Sequence, residues 1–124
     1  MLANQHENQY NSAMTLILAY KSRGVTRDIT ILDADGDAIT PDSSDKIRAI
    51  IGREGAEAQL TVTSDAATAN GSSFTKGATN RLRLDASDLS FDAGIYTLFI
   101  DYFDYDDASE WKNVDRQVFC LEDT

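Results

Sequence analysis

Two acidic stretches hold the side chains that could bind a ligand or do chemistry. In 33-DADGD-37 the carboxylates of Asp33, Asp35 and Asp37 alternate as they do at the start of a calcium-binding loop. An EF-hand also needs Gly at the sixth position and a bidentate Glu at the twelfth. Counted from Asp33, the glycine is fourth and the twelfth residue is Ser44. A tight β-turn is therefore the main expectation, and Asp33, Asp35 and Asp37 stand as weak calcium candidates. The second stretch carries Asp101, Asp104, Asp106 and Asp107 with Tyr102, Phe103 and Tyr105 between them. Two carboxylates serve a glycosidase only when they face each other across a cleft, and neighbours on one hairpin seldom do. The expectation is a solvated hairpin tip. Aromatic rings beside carboxylates also suit a sugar, so Tyr102, Tyr105 and Trp111 form a candidate glycan surface.

The remaining reactive residues are few. His6, the one histidine, lies in a polar N-terminal stretch, so a Ser/His/Asp or Cys/His set has no base on the folded part. Cys120 sits in an apolar strand and reads as a small buried hydrophobe rather than a nucleophile. One cysteine and one histidine cannot build a zinc cluster, and 52-GREG-55 lacks the context and the lysine of a phosphate loop. The chain reads as a non-enzyme with no cofactor.

The elements that would carry these residues are short. Across 124 residues, apolar runs at 13-AMTLILAY-20, 28-DITIL-32, 46-KIRAII-51, 57-EAQLTVT-63, 80-NRLRL-84, 94-GIYTLFIDYF-103 and 114-VDRQVFCL-121 are separated by Gly, Asp, Asn or Ser. That is the spacing of strands and turns. Alternation is clean at Ala58, Leu60 and Val62 and at Leu82 and Leu84, which predicts strands with one wet face. The segment 64–79, rich in Ser, Thr, Ala and Gly around Phe74, reads as a long loop or hairpin extension. Residues 85-DASDLS-90 suffice for one helical turn. Residues 1–12 are read as a polar arm and residues 13–124 as one domain.

Composition sets the surroundings. Apolar residues make up 42% and charged residues 26%, the usage of an ordinary globular domain. Eleven Lys and Arg against 21 Asp and Glu give a formal charge of −10, which opposes nucleic acid and anionic membranes as partners. The opening MLANQHENQY lacks the basic and apolar regions of a secretory signal, and a lone cysteine fits a reducing compartment.

The most specific pattern is 92-DAGIYTL-98. Asp92, Gly94 and Tyr96 match the tyrosine corner of immunoglobulin-like sandwiches, with Leu98 where antibody domains place a core cysteine. About seven strands on short connections give the expected fold, an all-β, immunoglobulin-like antiparallel β-sandwich. The order of 33-DADGDAI-39, a charged central strand, an Ala/Ser/Gly-rich excursion, 80-NRLRL-84, 85-DASDLS-90, 92-DAGIYTLFID-101 and 118-VFCLED-123 resembles the immunoglobulin-like domains of tailed-bacteriophage virion proteins. That family includes head decoration (cement) proteins and the N-terminal domains of baseplate upper proteins. The resemblance covers residues 14–123. It implies a structural part of the virion, assembled in the host cytoplasm, that binds the major capsid protein or another virion protein. A head decoration protein is the reading that the single-domain layout and acidic surface favour. A baseplate or tail-fibre adaptor and a carbohydrate-binding adhesion module are the alternatives.

Tyr96, Leu98 and Ile100 directed inward leave Ile95, Thr97 and Phe99 outward. The last strand is apolar on both faces, with Phe119 and Leu121 on one side and Val118 and Cys120 on the other. Ile95, Phe99, Phe119 and Leu121 are thus candidate interface residues. The expected assembly is a homo-oligomer, and the resemblance implies a trimer if the protein sits at threefold positions on a head.

Overall fold

The structure, a computed structural model, describes residues 15–105 and 110–123. Eight strands form along the described chain: β1 (Leu16–Tyr20), β2 (Val25–Ile29), β3 (Lys46–Gly52), β4 (Leu60–Thr63), β5 (Ser73–Thr75), β6 (Asn80–Leu84), β7 (Gly94–Phe103) and β8 (Lys112–Glu122). One sheet has the order β1-β8-β7-β3-β4 and the other β2-β6-β5. They pack face to face as an immunoglobulin-like β-sandwich. Ile47, Ala49, Ile51, Leu98, Ile100 and Phe119 from the larger sheet meet Ile29, Phe74, Leu82 and Leu84 from the smaller one, all buried.

The expectation of a wholly antiparallel sandwich is corrected at one place. β1 runs parallel to β8, with Leu16 opposite Val118 and Tyr20 opposite Glu122. The first and last strands meet at one sheet edge, and short connections between neighbours carry no information about a pair a hundred residues apart. Boundaries also move. The run 28–32 is not one strand: β2 ends at Ile29, Ile31 drops into the core, and Leu32 bridges Ala38 in a small hairpin. β4 begins only at Leu60, and Ala58 is exposed because the chain is still turning away from β3. The 64–79 segment contains β5, which pairs with β6 and buries Phe74. In β6, Leu82 and Leu84 point inward while Arg81 and Arg83 remain exposed, as the alternation requires. The 1–12 arm and His6 lie outside the described residues.

The tyrosine corner is formed. Gly94 has φ 151°, which L residues rarely adopt. The bend lets the Tyr96 hydroxyl donate to the Asp92 carbonyl at 2.6 Å, while the ring stands edge-on to Phe91 at 5.1 Å. Tyr96 is only 3% exposed. Tyr96→Phe is expected to cost about 0.5–1.5 kcal/mol, the net worth of one such bond, and to lower the melting temperature with no change in fold. Thermal melting of the two proteins checks this; equal midpoints would deny the hydroxyl any role.

Candidate functional site

The outer face of the five-stranded sheet is built by register. In antiparallel β7 and β8, Ile95 lies opposite Cys120 and Thr97 opposite Val118; in parallel β1 and β8, Leu16 lies opposite Val118 and Leu18 opposite Cys120. Residues directly opposite share a sheet face. Leu18, Cys120 and Ile95 thus form one row across three strands, and Leu16, Val118 and Thr97 the next. Phe99 follows beside Ile50 of β3. Ile95 is 66% exposed, Leu16 62% and Leu18 40%, while Val118, Cys120, Phe99 and Ile50 are half-buried. An outer face is ordinarily polar; a contiguous apolar patch of this kind marks a contact surface.

Two of the four interface candidates lie on this face and two do not. Ile95 and Phe99 point outward as expected. Phe119 and Leu121 are corrected: both are buried, at 0% and 1% exposure, with Phe119 between Ile17 and Tyr96 on the inner face. The outward residues of β8 are Val118 and Cys120. Leu16 and Leu18 were not anticipated, although in 13-AMTLILAY-20 the apolar side chains fall on both parities, which is the available signal of a strand buried on one face and sticky on the other. Cys120 is also corrected from buried hydrophobe to half-buried outer-face thiol. Its Sγ lies 3.6 Å from Glu122 Oε1, and partial burial together with that carboxylate pushes the thiol up from its usual value.

Cations border the patch. The Arg116 guanidinium stacks 5.3 Å from the Phe99 ring centre and donates to Asn113 Oδ1. Arg53 lies off this face, stacked at 4.2 Å on the inward-facing Tyr96 ring, and donates to the Ile95 carbonyl. Further along the face Arg48 pairs with Asp101 at 2.9 Å under the Trp111 ring, with Asn113 donating to the other Asp101 oxygen. Asp101 is 8% exposed and fully satisfied. It ties β3 to β7 and β8 through these bonds.

The proposed glycan surface is not assembled. Tyr102 points to the inner side, where its hydroxyl donates to Asp45 at 2.6 Å; Trp111 lies on the outer side against Arg48 and Phe103; Tyr105 alone is largely exposed. Tyr102 and Phe103 alternate to opposite faces at the end of β7, and Trp111 packs with Phe103 and Arg48 on the outer one. Asp106 and Asp107 lie outside the described residues. Asp45 in turn accepts the backbone N–H groups of Asp42 and Tyr105. Lys76 donates to the carbonyls of Asp42, Ser43 and Asp45, clamping the same turn. Burial by itself would raise the Asp45 carboxyl, but these donors and the Lys76 charge hold it below the usual carboxylate value. Burial and the Asp45 carboxylate push the Tyr102 phenol far above its usual value.

In 33–37 the Asp33 carboxylate caps its own turn. Its Oδ1 accepts the N–H groups of Asp35 and Asp37, both at 2.9 Å, and the Asp33 N–H donates to the Asp37 carbonyl. Gly36 supplies φ 87°. That is turn chemistry. Among the described residues no group of three His, Cys, Asp or Glu is placed to hold a metal ion. Adding calcium or EDTA is expected to leave the melting temperature unchanged, because an ion that binds only the native state must raise it; a rise with calcium would restore Asp33, Asp35 and Asp37 as ligands.

A carboxylate cluster that sequence reasoning missed lies beneath the 3-10 turn (Ala86–Asp88). Asp88 accepts from the Thr68 and Ser72 hydroxyls and from Asn70 Nδ2, and Ser72 Oγ in turn accepts the Asp85 N–H. The pattern 68-TANGS-72 was its only trace in sequence. A last concavity, a groove of about 520 Å3, opens at the side of the sandwich between the β1–β8 edge and β2, with Leu16 and Leu32 on its rim and Arg27 and Asp115 along it.

What these features define is an immunoglobulin-like β-sandwich whose buried carboxylates are spent on structure and whose distinctive surface is an apolar sheet face edged by arginine. No protein-family model matches the chain, and no curated protein matches it. Among solved structures, the crystal structure of the periplasmic chaperone SfaE is similar at a TM-score of 0.42 and 10% sequence identity, over 89% of this chain and 55% of that one. The chain thus spans about half the length of that chaperone chain.

Proposed function

We propose that the protein is a non-enzymatic structural module that docks on another protein through the outer face of its five-stranded sheet, and that its setting is the tailed-phage virion, as a head decoration protein. The observation that carries the docking role is the exposure of Leu16, Leu18 and Ile95 in two adjacent rows of a face that would otherwise be polar. The non-enzymatic reading is supported by the commitment of Asp45, Asp88 and Asp101 to structural hydrogen bonds. The virion setting is supported by the sequence resemblance alone. It makes the major capsid protein the partner, with a baseplate or tail-fibre site the alternative that the same face would serve. An image reconstruction of the assembled particle tests this. Density for the sandwich on the head exterior, with Ile95 against the shell, is the expected result; density on the tail would select the adaptor, and absence from the particle would end the virion reading.

A further inference from the structure

We propose that Asn70–Gly71 is a site of spontaneous deamidation, and that the Asp88 cluster holds the reaction back in the folded protein. The reaction needs only water. The Gly71 amide nitrogen, after losing its proton to solvent base, attacks Cγ of the Asn70 side chain; the new N–C bond replaces the Cγ–Nδ2 bond, and ammonia leaves with a proton taken from water. Water then opens the cyclic imide at one carbonyl or the other. The net change is one water taken up and one ammonia released, with aspartate or isoaspartate at position 70. Asn70 is the one asparagine in the chain followed by glycine, and glycine has no side chain to obstruct the approach of its nitrogen to Cγ. Asn70 is exposed, so water and hydroxide reach it.

The fold engages both reacting groups elsewhere. The Gly71 N–H donates to the Thr68 carbonyl at 3.0 Å, closing a tight turn through Ala69 and Asn70 in which Gly71 takes φ 99°. Asn70 Nδ2 donates to Asp88 Oδ1 at 2.9 Å, and the same carboxylate receives the Thr68 and Ser72 hydroxyls on its other oxygen. Arg83 secures the turn from the neighbouring strand by donating to the Gly71 carbonyl at 2.7 Å. The carboxamide is thus pinned to Asp88 while the nitrogen that must attack it is pinned to Thr68. Cyclisation waits for both bonds to open, so its rate is that of a free peptide scaled by the fraction of time the turn is open. The product does not restore the closed turn. A carboxylate at position 70 cannot donate to Asp88 and sets a second negative charge beside it. Each conversion therefore leaves the 68–72 loop looser, and Asp88, whose bonds hold that loop, also governs how fast the chain ages there.

Incubation of the full chain at mildly alkaline pH, followed by digestion and mass spectrometry, tests the proposal, because conversion replaces NH2 by OH at position 70 and raises the mass of that fragment. A synthetic peptide of residues 66–74 gives the unrestrained rate. The wild type is expected to convert at position 70 at least about tenfold more slowly than the peptide, a ratio that corresponds to an opening cost of about 1.4 kcal/mol. That retardation should match the hydrogen-exchange protection of the Gly71 amide, since the same opening exposes it. Asp88→Asn, shown by its melting curve to be folded, should convert faster than the wild type. Asn70→Asp installs one product directly and should speed exchange of the Ser72 amide. Conversion of the wild type at the peptide rate, or an unchanged rate in folded Asp88→Asn, overturns the restraint by Asp88; the comparison with the peptide decides it whether or not the variant folds. A wild type that shows no conversion after the time set by the Gly71 protection overturns the site, and unchanged Ser72 exchange in Asn70→Asp overturns the loosening of the loop.

Discussion

Phe119→Ala is expected to lower the free energy of unfolding by about 3–5 kcal/mol, the usual range for removing a fully buried ring. Phe119 has no exposed surface and sits in register with Ile17 on one side and Tyr96 on the other, so no neighbour can swing in from solvent to fill the space. Against a total stability of roughly 5–15 kcal/mol, that loss moves the protein close to its unfolding threshold at body temperature. Val118→Ala, one residue earlier, removes two methyl groups from a half-buried outer position and should cost only about 1 kcal/mol. Urea titrations of the two variants, compared by midpoint, therefore read the register of β8 directly. Similar midpoints for the pair would place Phe119 outside and return it to the contact surface.

That register was the part of the fold least legible from sequence. The tyrosine corner could be read because Asp92, Gly94 and Tyr96 each answer a separate local demand, and β6 because arginine alternates with leucine. β8 offers no such contrast, since Val118, Phe119, Cys120 and Leu121 are all apolar. The register also slips between Ile100 and Asp101, which lie opposite Asp115 and Asn113 and leave Val114 as the extra residue. A one-residue bulge exchanges the faces of everything beyond it. Extrapolation from Asn113 along a regular strand would place Phe119 outside. The same reasoning separates Tyr102 from Trp111, which are close in sequence and face apart. The apolar outer face was half legible: the corner fixed Ile95 and Phe99, while the contribution of β1 depended on a parallel pairing with the other end of the chain. The Asp88 cluster was not legible at all. Its members lie 16 to 20 residues apart on two loops, and no periodicity links a loop to a loop.

Asp88→Ala is expected to cost about 3 kcal/mol and to loosen residues 68–72 before the rest of the sandwich. Hydrogen bonds to a charged acceptor contribute roughly 1.5–3 kcal/mol each, and this carboxylate receives three, though losses from one acceptor do not add in full. Ser72 is completely buried, so its hydroxyl would be left without an acceptor out of reach of water. Hydrogen exchange should show the Ser72 amide, now protected by Thr68 Oγ1, exchanging faster in the variant while β7 and β8 amides keep their order of protection. The pH dependence has a definite sign. Burial alone would raise the Asp88 carboxyl, yet its hydrogen bonds from Ser72, Thr68 and Asn70 lower it below the usual value, as the donors around Asp45 do for that group. A carboxyl depressed by folding contributes stability that is complete above the unfolded value, about pH 4, and is lost as the pH falls through the lower folded value. The wild type should thus hold a constant urea midpoint from neutrality down to about pH 5 and then weaken steeply. Asp45→Asn and Asp88→Asn each begin from a lower midpoint at neutral pH and should show a shallower acid limb, because the proton taken up on unfolding is no longer there to be bound. An acid limb of unchanged steepness in both variants would mean that other carboxylates carry the acid lability and that Asp45 and Asp88 keep their ordinary values in the folded protein.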